Sequence, residues 1–157
     1  MGFNDILKSL FGNKSQRDLK EIDPYVKKIQ AIYPEIEQLD NDGLRARSQA
    51  IMQLLQDCVA TERKAIEDKK AEIEEQDIET REKGWAEIDA LEKQIYEIQE
   101  KKLDEVLPEV FAIVKDTARR FTQNETVPVT ATAFDRELAI TKDFVKIEGD
   151  KAIYFNQ

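Results

Sequence analysis

The chain has no histidine, one cysteine and only five glycines among its 157 residues. Without histidine there can be no His-based catalytic triad, no histidine general base and no zinc site that needs an imidazole. With Cys58 alone, neither a disulfide framework nor CxxC chemistry is available, which suits a reducing cytoplasm. Cys58 lies beside Val59 on an apolar-leaning helical face and reads as a small buried hydrophobe. Apolar runs of about 18 residues are missing too, so no helix here is expected to span a membrane. The first residues lack the apolar core and small-residue cleavage site of a signal peptide. None of the glycines belongs to a GxxxxGK[ST] string, the loop whose backbone N–H groups cradle phosphates. Positive charge is in deficit: 24 basic residues face 33 acidic ones, for a net charge of −9. That balance argues against nucleic acid as a partner.

What the chain does have is a long charged stretch, Val59 to Glu105, free of proline and interrupted by a single glycine. Its apolar residues are spaced for a helix. Ile88, Leu91, Ile95 and Ile98 alternate as in a coiled-coil seam, and Leu55, Val59, Ile66 and Ile73 form a looser stripe before them. Each stripe is too narrow to enter a globular core and needs one partner. The two halves can fold back on each other as an antiparallel hairpin with arms of roughly 40–50 Å. The other solution is one straight rod that pairs with a second chain. The turn signal is weak: Gln76–Gly84 offers Asp77 or Thr80 as an N-cap and Gly84 as a breaker. Trp85 beside it either covers the turn or anchors a partner.

Residues 1–12 read as a short amphipathic helix with Phe3, Ile6, Leu7, Leu10 and Phe11 on one face. Lys14, Arg17 and Lys20 follow. Such a segment suits an anionic membrane surface or a groove on a partner, and it equally suits docking on its own domain, since Asp5 and a lone Lys8 leave the polar face poorly basic. Asp23 and Pro24 are expected to start a helix, and Pro34 either ends it or begins a short one through Ile36 and Leu39. Asp42 is expected to cap the next helix, which runs from Leu44 through Ile51 and Cys58 into the charged arm. Pro108 is placed to open a buried helix over Glu109–Phe121, with Val110, Phe111, Ile113, Val114 and Phe121 inside. The tail turns β-rich. Val127–Thr132 is extended, Phe134–Ala139 can form a helical turn, and Phe144–Phe155 alternates about Gly149-Asp150 as a β-hairpin does. A lone hairpin is marginal in water, so it should lean on the helices.

Two blocks resemble the amino-terminal region of SecA, the bacterial preprotein translocase motor. Ile6-Leu7, Phe11-Gly12, Arg17-x-Leu19, Ala31-x-x-Pro34-Glu35-x-Glu37-x-Leu39 and Asp42-x-Leu44-x-x-Arg47-Ser48 are similar to the family's first helices. The run from Leu107 to Arg120, LPEVFAIVKDTARR, resembles its "LPEAFAVVREA" helix almost position for position. In the family these blocks are near neighbours, so the charged stretch looks like an insertion, and an insertion that leaves and returns favours the hairpin. Taken with the patterning of the residues, the expected fold is mainly α: a small helical layer with a long antiparallel coiled-coil hairpin and a C-terminal β-hairpin, the tail after Phe121 departing from the family's pattern.

The expected parts are an amphipathic helix (1–16), a helical layer (17–58 and 103–121), the inserted hairpin (59–102) and an inserted β-rich tail (122–157) that stops before the nucleotide site. The core is expected at Ile29, Leu44, Ile51, Leu107, Val110, Phe111 and Val114. By resemblance, Ile6, Leu7, Lys8, Leu10, Phe11, Lys14 and Arg17 contact the membrane channel or acidic phospholipids. The remainder of the motor domain is the other implied partner, and nucleic acid is not one. ATP and magnesium belong to the full-length family, whose glutamine and acidic magnesium motifs are missing here along with the phosphate loop. The chain is thus expected to be a targeting and scaffold segment, cytoplasmic and peripheral on the inner membrane, with no hydrolysis of its own. The rival is a stand-alone coiled-coil adaptor that dimerises. An enzyme reading is poorest, because carboxylate pairs such as Glu74 and Glu75 on a solvated helix are ordinary surface charge. Asp89 with Lys93, and Glu97 with Lys101, are expected as structural i,i+4 pairs.

Overall fold

The computed structural model describes residues 14–156. Four helices come first: α1 (Lys14–Glu37), α2 (Asn41–Asp57), α3 (Ala60–Glu74) and α4 (Ile78–Gln123). The tail adds β1 (Thr126–Thr130), α5 (Ala133–Thr141), β2 (Val145–Glu148) and β3 (Lys151–Phe155). The architecture is the expected one, mainly helical with a small antiparallel sheet at the end.

The helices are longer than their prolines suggest. Both Pro24 and Pro34 lie inside α1, and Pro108 lies inside the 46-residue α4 instead of opening a separate helix. A proline costs a helix interior about 3 kcal/mol, so packing must outweigh it. For α1 that packing is the stripe Ile29, Ile32, Tyr33 and Ile36, set against α4 and α2. The two helices run side by side in the same direction, since Tyr25 donates to Asp104 at 3.3 Å and Tyr33 to Asp116 at 3.4 Å. Pro108 is itself buried, so its ring replaces in packing what its missing N–H removes.

The hairpin forms, and with it the rod is set aside. Ile66 and Ile73 of α3 close on Ile88 of α4, with Leu91 and Ile95 packed against them. Its first arm is not continuous with α2, however. Cys58 and Val59 form a turn, and Val59 is completely buried at the knee. The break leaves α3 with 15 residues, about 22 Å long, well short of the expected arm. At the tip Asp77 caps α4, accepting from Thr80 N at 2.9 Å. Gly84 does not break the helix. A Cβ there would come within 2.5 Å of Ile73 Cγ1, so the glycine lets the two arms touch. The cap of α2 is Asp40, not Asp42: its carboxylate accepts from Gly43 N at 2.6 Å.

Two more buried clusters complete the molecule. Ile36, Leu44, Ile51, Val106, Ala112 and Ile113 form the helical core, and Val129, Val145 and Ala152 form the core of the tail. The sheet has the order β1-β3-β2, with Val129 opposite Ala152 and Val145 opposite Tyr154. Gly149, at φ 61°, turns the β2–β3 connection. The expected hairpin thus gains a third strand, and Pro128 is tolerated because β1 is an edge.

Candidate functional site

One buried carboxylate fastens the tail to the helices, and a second ties the helices beneath it to one another. Asp135, in the first turn of α5, is fully buried and receives Arg45 of α2 through both oxygens, at 2.8 and 3.0 Å. Tyr154 donates to the same carboxylate, and Thr132 closes a capping box with it. Burial alone would raise the Asp135 carboxyl, but the bonds from Arg45, Tyr154 and Thr132 outweigh it and hold the group far below the usual carboxylate range. Burial and the neighbouring carboxylate push the Tyr154 phenol up to about 12. Asp116 of α4 is the second anchor, bound by Arg120 Nε and Arg119 Nε at 2.7 Å each. Burial opposes its ionisation, yet the two guanidinium groups lower its carboxyl. Arg120 also reaches Asn41 Oδ1 at 2.6 Å and the Leu39 carbonyl. Asp42, freed from capping, accepts from Thr130 N and Oγ1 at 2.7 Å, and these bonds lower its carboxyl.

A cleft of about 460 Å³ lies over this junction, between α2, α4 and the sheet. Arg45 and Arg120 line it, but each already serves a carboxylate. Neither presents a free cation to a triphosphate, and the residues present do not fit a nucleotide or its magnesium. The junction is therefore a structural clamp.

The second cleft, about 450 Å³, is almost wholly apolar and runs between α2 and α4. Its floor is Ile51, Val106 and Ile113, and its walls include Met52, Val110 and Val114. Here the expected core needs correction. Leu44 and Ile51 are buried, while Ile29 and Leu107 are half-buried. Val110, Phe111 and Val114 face outward, with Phe111 55% and Val114 60% exposed. The helical layer has two sides, and α1 and α2 cover only one of them. The helical period of α4 therefore sends Ala112, Ile113 and Asp116 inward and Val110, Phe111 and Val114 out. Phe121 is half-buried. Met52 and Leu103 add to the same open face, at 54% and 52% exposed. Sequence reasoning missed this site because it took every apolar residue of a rich helix as core; two adjacent apolar stripes on one helix were the available signal.

The remaining expected positions are scattered. Ile6, Leu7, Lys8, Leu10 and Phe11 lie outside the described residues. Lys14 begins α1, and Arg17 is exposed in its first turns. The expected pair of Asp89 with Lys93 is replaced by Lys93 with Glu97 at 4.0 Å. No cluster of metal-ligating side chains occurs among the described residues, and no helix there is long and apolar enough to cross a membrane.

A family model described as the SecA DEAD-like domain matches residues 7–135. The protein translocase subunit SecA of Bacteroides fragilis is 56% identical over 156 residues, covering 99% of this chain and 14% of that protein. That of Parabacteroides distasonis is 57% identical with the same coverage. The subunit of Flavobacterium psychrophilum is 45% identical over 154 residues, 98% of this chain and 14% of the relative. The chain thus spans about 14% of the length of the relatives it matches, and the similarity runs through both the charged hairpin and the tail. No solved structure matches it.

Proposed function

The chain belongs to the SecA family, and from that premise we propose that it is the amino-terminal targeting and scaffold segment of an ATP-driven preprotein translocation motor. In this reading it binds the remainder of the motor domain and does not hydrolyse nucleotide itself. The observation that carries the proposal is the open apolar face of α4. A helix that buries Ile113 and leaves Phe111 and Val114 in water is a layer of a larger core. The ATP and magnesium of the motor are assigned to the part of the relatives that this chain does not cover. The hairpin and the tail are taken as insertions into the motor's first domain. Before residue 17, the opening segment is assigned to acidic phospholipid and the membrane channel, on the cytoplasmic face of the inner membrane.

The test is a split translocase: this chain with the complementary part of the B. fragilis subunit. The two are expected to co-purify, and Phe111→Asp with Val114→Asp is expected to abolish the complex. The stability of the chain itself should change by no more than about 0.5 kcal/mol, since both side chains are exposed. A complex indifferent to that pair would remove the assignment of the face. For the opening segment, co-sedimentation with anionic vesicles should weaken when Leu7 and Phe11 are both replaced by Asp, and equal binding would end the membrane role.

A further inference from the structure

The apolar face of α4 does not stop where the helical layer ends. Ile78, Trp85, Tyr96 and Leu103 continue it at intervals of seven, eleven and seven residues. At about 100° per residue these positions stay on one side of the helix. They lie away from the hairpin seam of Ile88, Leu91 and Ile95. Ile78 is 84% exposed and Trp85 50% exposed, both within the first turns after the hairpin turn.

The surroundings of this pair are acidic. From residue 72 to 83 the carboxylates are Glu72, Glu74, Glu75, Asp77, Glu79 and Glu82, against Arg81 and Lys83 alone. Arg81 is turned inward: its Nε donates to the Gln76 carbonyl at 2.9 Å and its Nη2 to the Glu74 carbonyl at 3.3 Å. It closes the end of α3 and braces the turn. Glu72 is paired with Lys69 at 2.8 Å, whereas Glu74, Glu75 and Glu82 form no ion pair among the described residues. With the Asp77 cap and the Gly84–Ile73 contact, these bonds give the tip a fixed shape before anything binds.

We propose that the tip of the α3–α4 hairpin is a docking site for a cationic amphipathic polypeptide segment, whose apolar face covers Ile78 and Trp85 while its basic residues meet Glu74, Glu75 and Glu82. Charge selects this occupant. A second copy would bring the same carboxylates against themselves, and an anionic bilayer would be repelled. The tip lies at the far end of this face, with Trp85 about 27 Å along α4 from Leu103 at the edge of the α2–α4 cleft, and does not depend on the function proposed for that cleft.

Trp85 is the sole tryptophan, so the chain carries its own reporter. The full chain is titrated with a synthetic Lys/Leu amphipathic peptide and with its Glu/Leu counterpart. The Lys/Leu peptide is expected to shift Trp85 emission to the blue, and the Glu/Leu peptide to leave it unchanged. Glu74→Lys with Glu75→Lys should weaken binding about tenfold or more, whereas Glu137→Lys with Asp143→Lys, an equal change of net charge in the tail, should alter it less than about twofold. Ile78→Ser removes a side chain outside the core and should also weaken binding severalfold, with helix content unchanged by circular dichroism. No blue shift, an equal shift with the Glu/Leu peptide, or equal damage from the tail and tip reversals would each overturn the proposal.

Discussion

Asp135 shows how one side chain can hold two halves of a molecule together. It accepts from Arg45, Tyr154 and Thr132 and has no exposure to water. Because its folded-state carboxyl titrates well below the ordinary 3.8, the stability it supplies is complete above that value and is lost as the pH falls beneath it. Asp116 and Asp42 are lowered as well and act in the same direction. Asp135→Asn leaves Arg45 without its counter-charge and should cost about 3 kcal/mol at neutral pH. Denaturant melts from about pH 7 down to about pH 3 should then fall less steeply for the variant than for the parent chain. Equal slopes would mean that the pair does not form. None of this could be read from the sequence, where Asp135 sits in an unremarkable FDRE string. Its partner is 90 residues away, and only the folded helices bring the two together.

At the scale of elements, the hairpin was legible because its apolar spacing is regular and its polar faces are fully charged. The prolines misled, since local propensity marks boundaries that burial overrode at Pro24, Pro34 and Pro108. The knee at Cys58–Val59 had no turn signal at all, and a β-branched residue buried at a bend is set by packing rather than by propensity. At Gly84 the sequence suggests a helix breaker, and the structure has an unbroken helix there. The glycine's role is contact, so Gly84→Ala should destabilise the hairpin by about 1–2 kcal/mol despite the better helix propensity of alanine. In an Ile73→Ala background the obstruction is gone. The same Gly84→Ala change should then stabilise by up to about 1 kcal/mol. Hydrogen exchange over residues 60–98 measures both effects, and a penalty that persists without Ile73 would refute the contact.

For the whole molecule, the three apolar clusters share no buried residue, and α4 is the element that runs from the hairpin cluster into the helical core. Local opening should follow that division. Ile88→Ala, costing about 2–5 kcal/mol, should speed exchange throughout α3 and the first half of α4. It should leave the amides of residues 106–120 and of the sheet protected. Loss of protection everywhere would show a single cooperative unit instead. The family resemblance fixed the general layout, through the Leu107–Arg120 run above all. The outward face of α4 escapes it, because α4 carries apolar residues on two sides and composition alone does not mark which stripe lies on the outside.

The unbroken course of α4 makes it a lever. Between Leu103, at the edge of the layer, and Ile78, at the tip, lie some 25 residues, or about 38 Å of stiff rod. A tilt of about 10° at its root would sweep the far end through about 7 Å, given that reach. Any repacking of Phe111 and Val114 against a neighbour would therefore be felt as a displacement of Trp85.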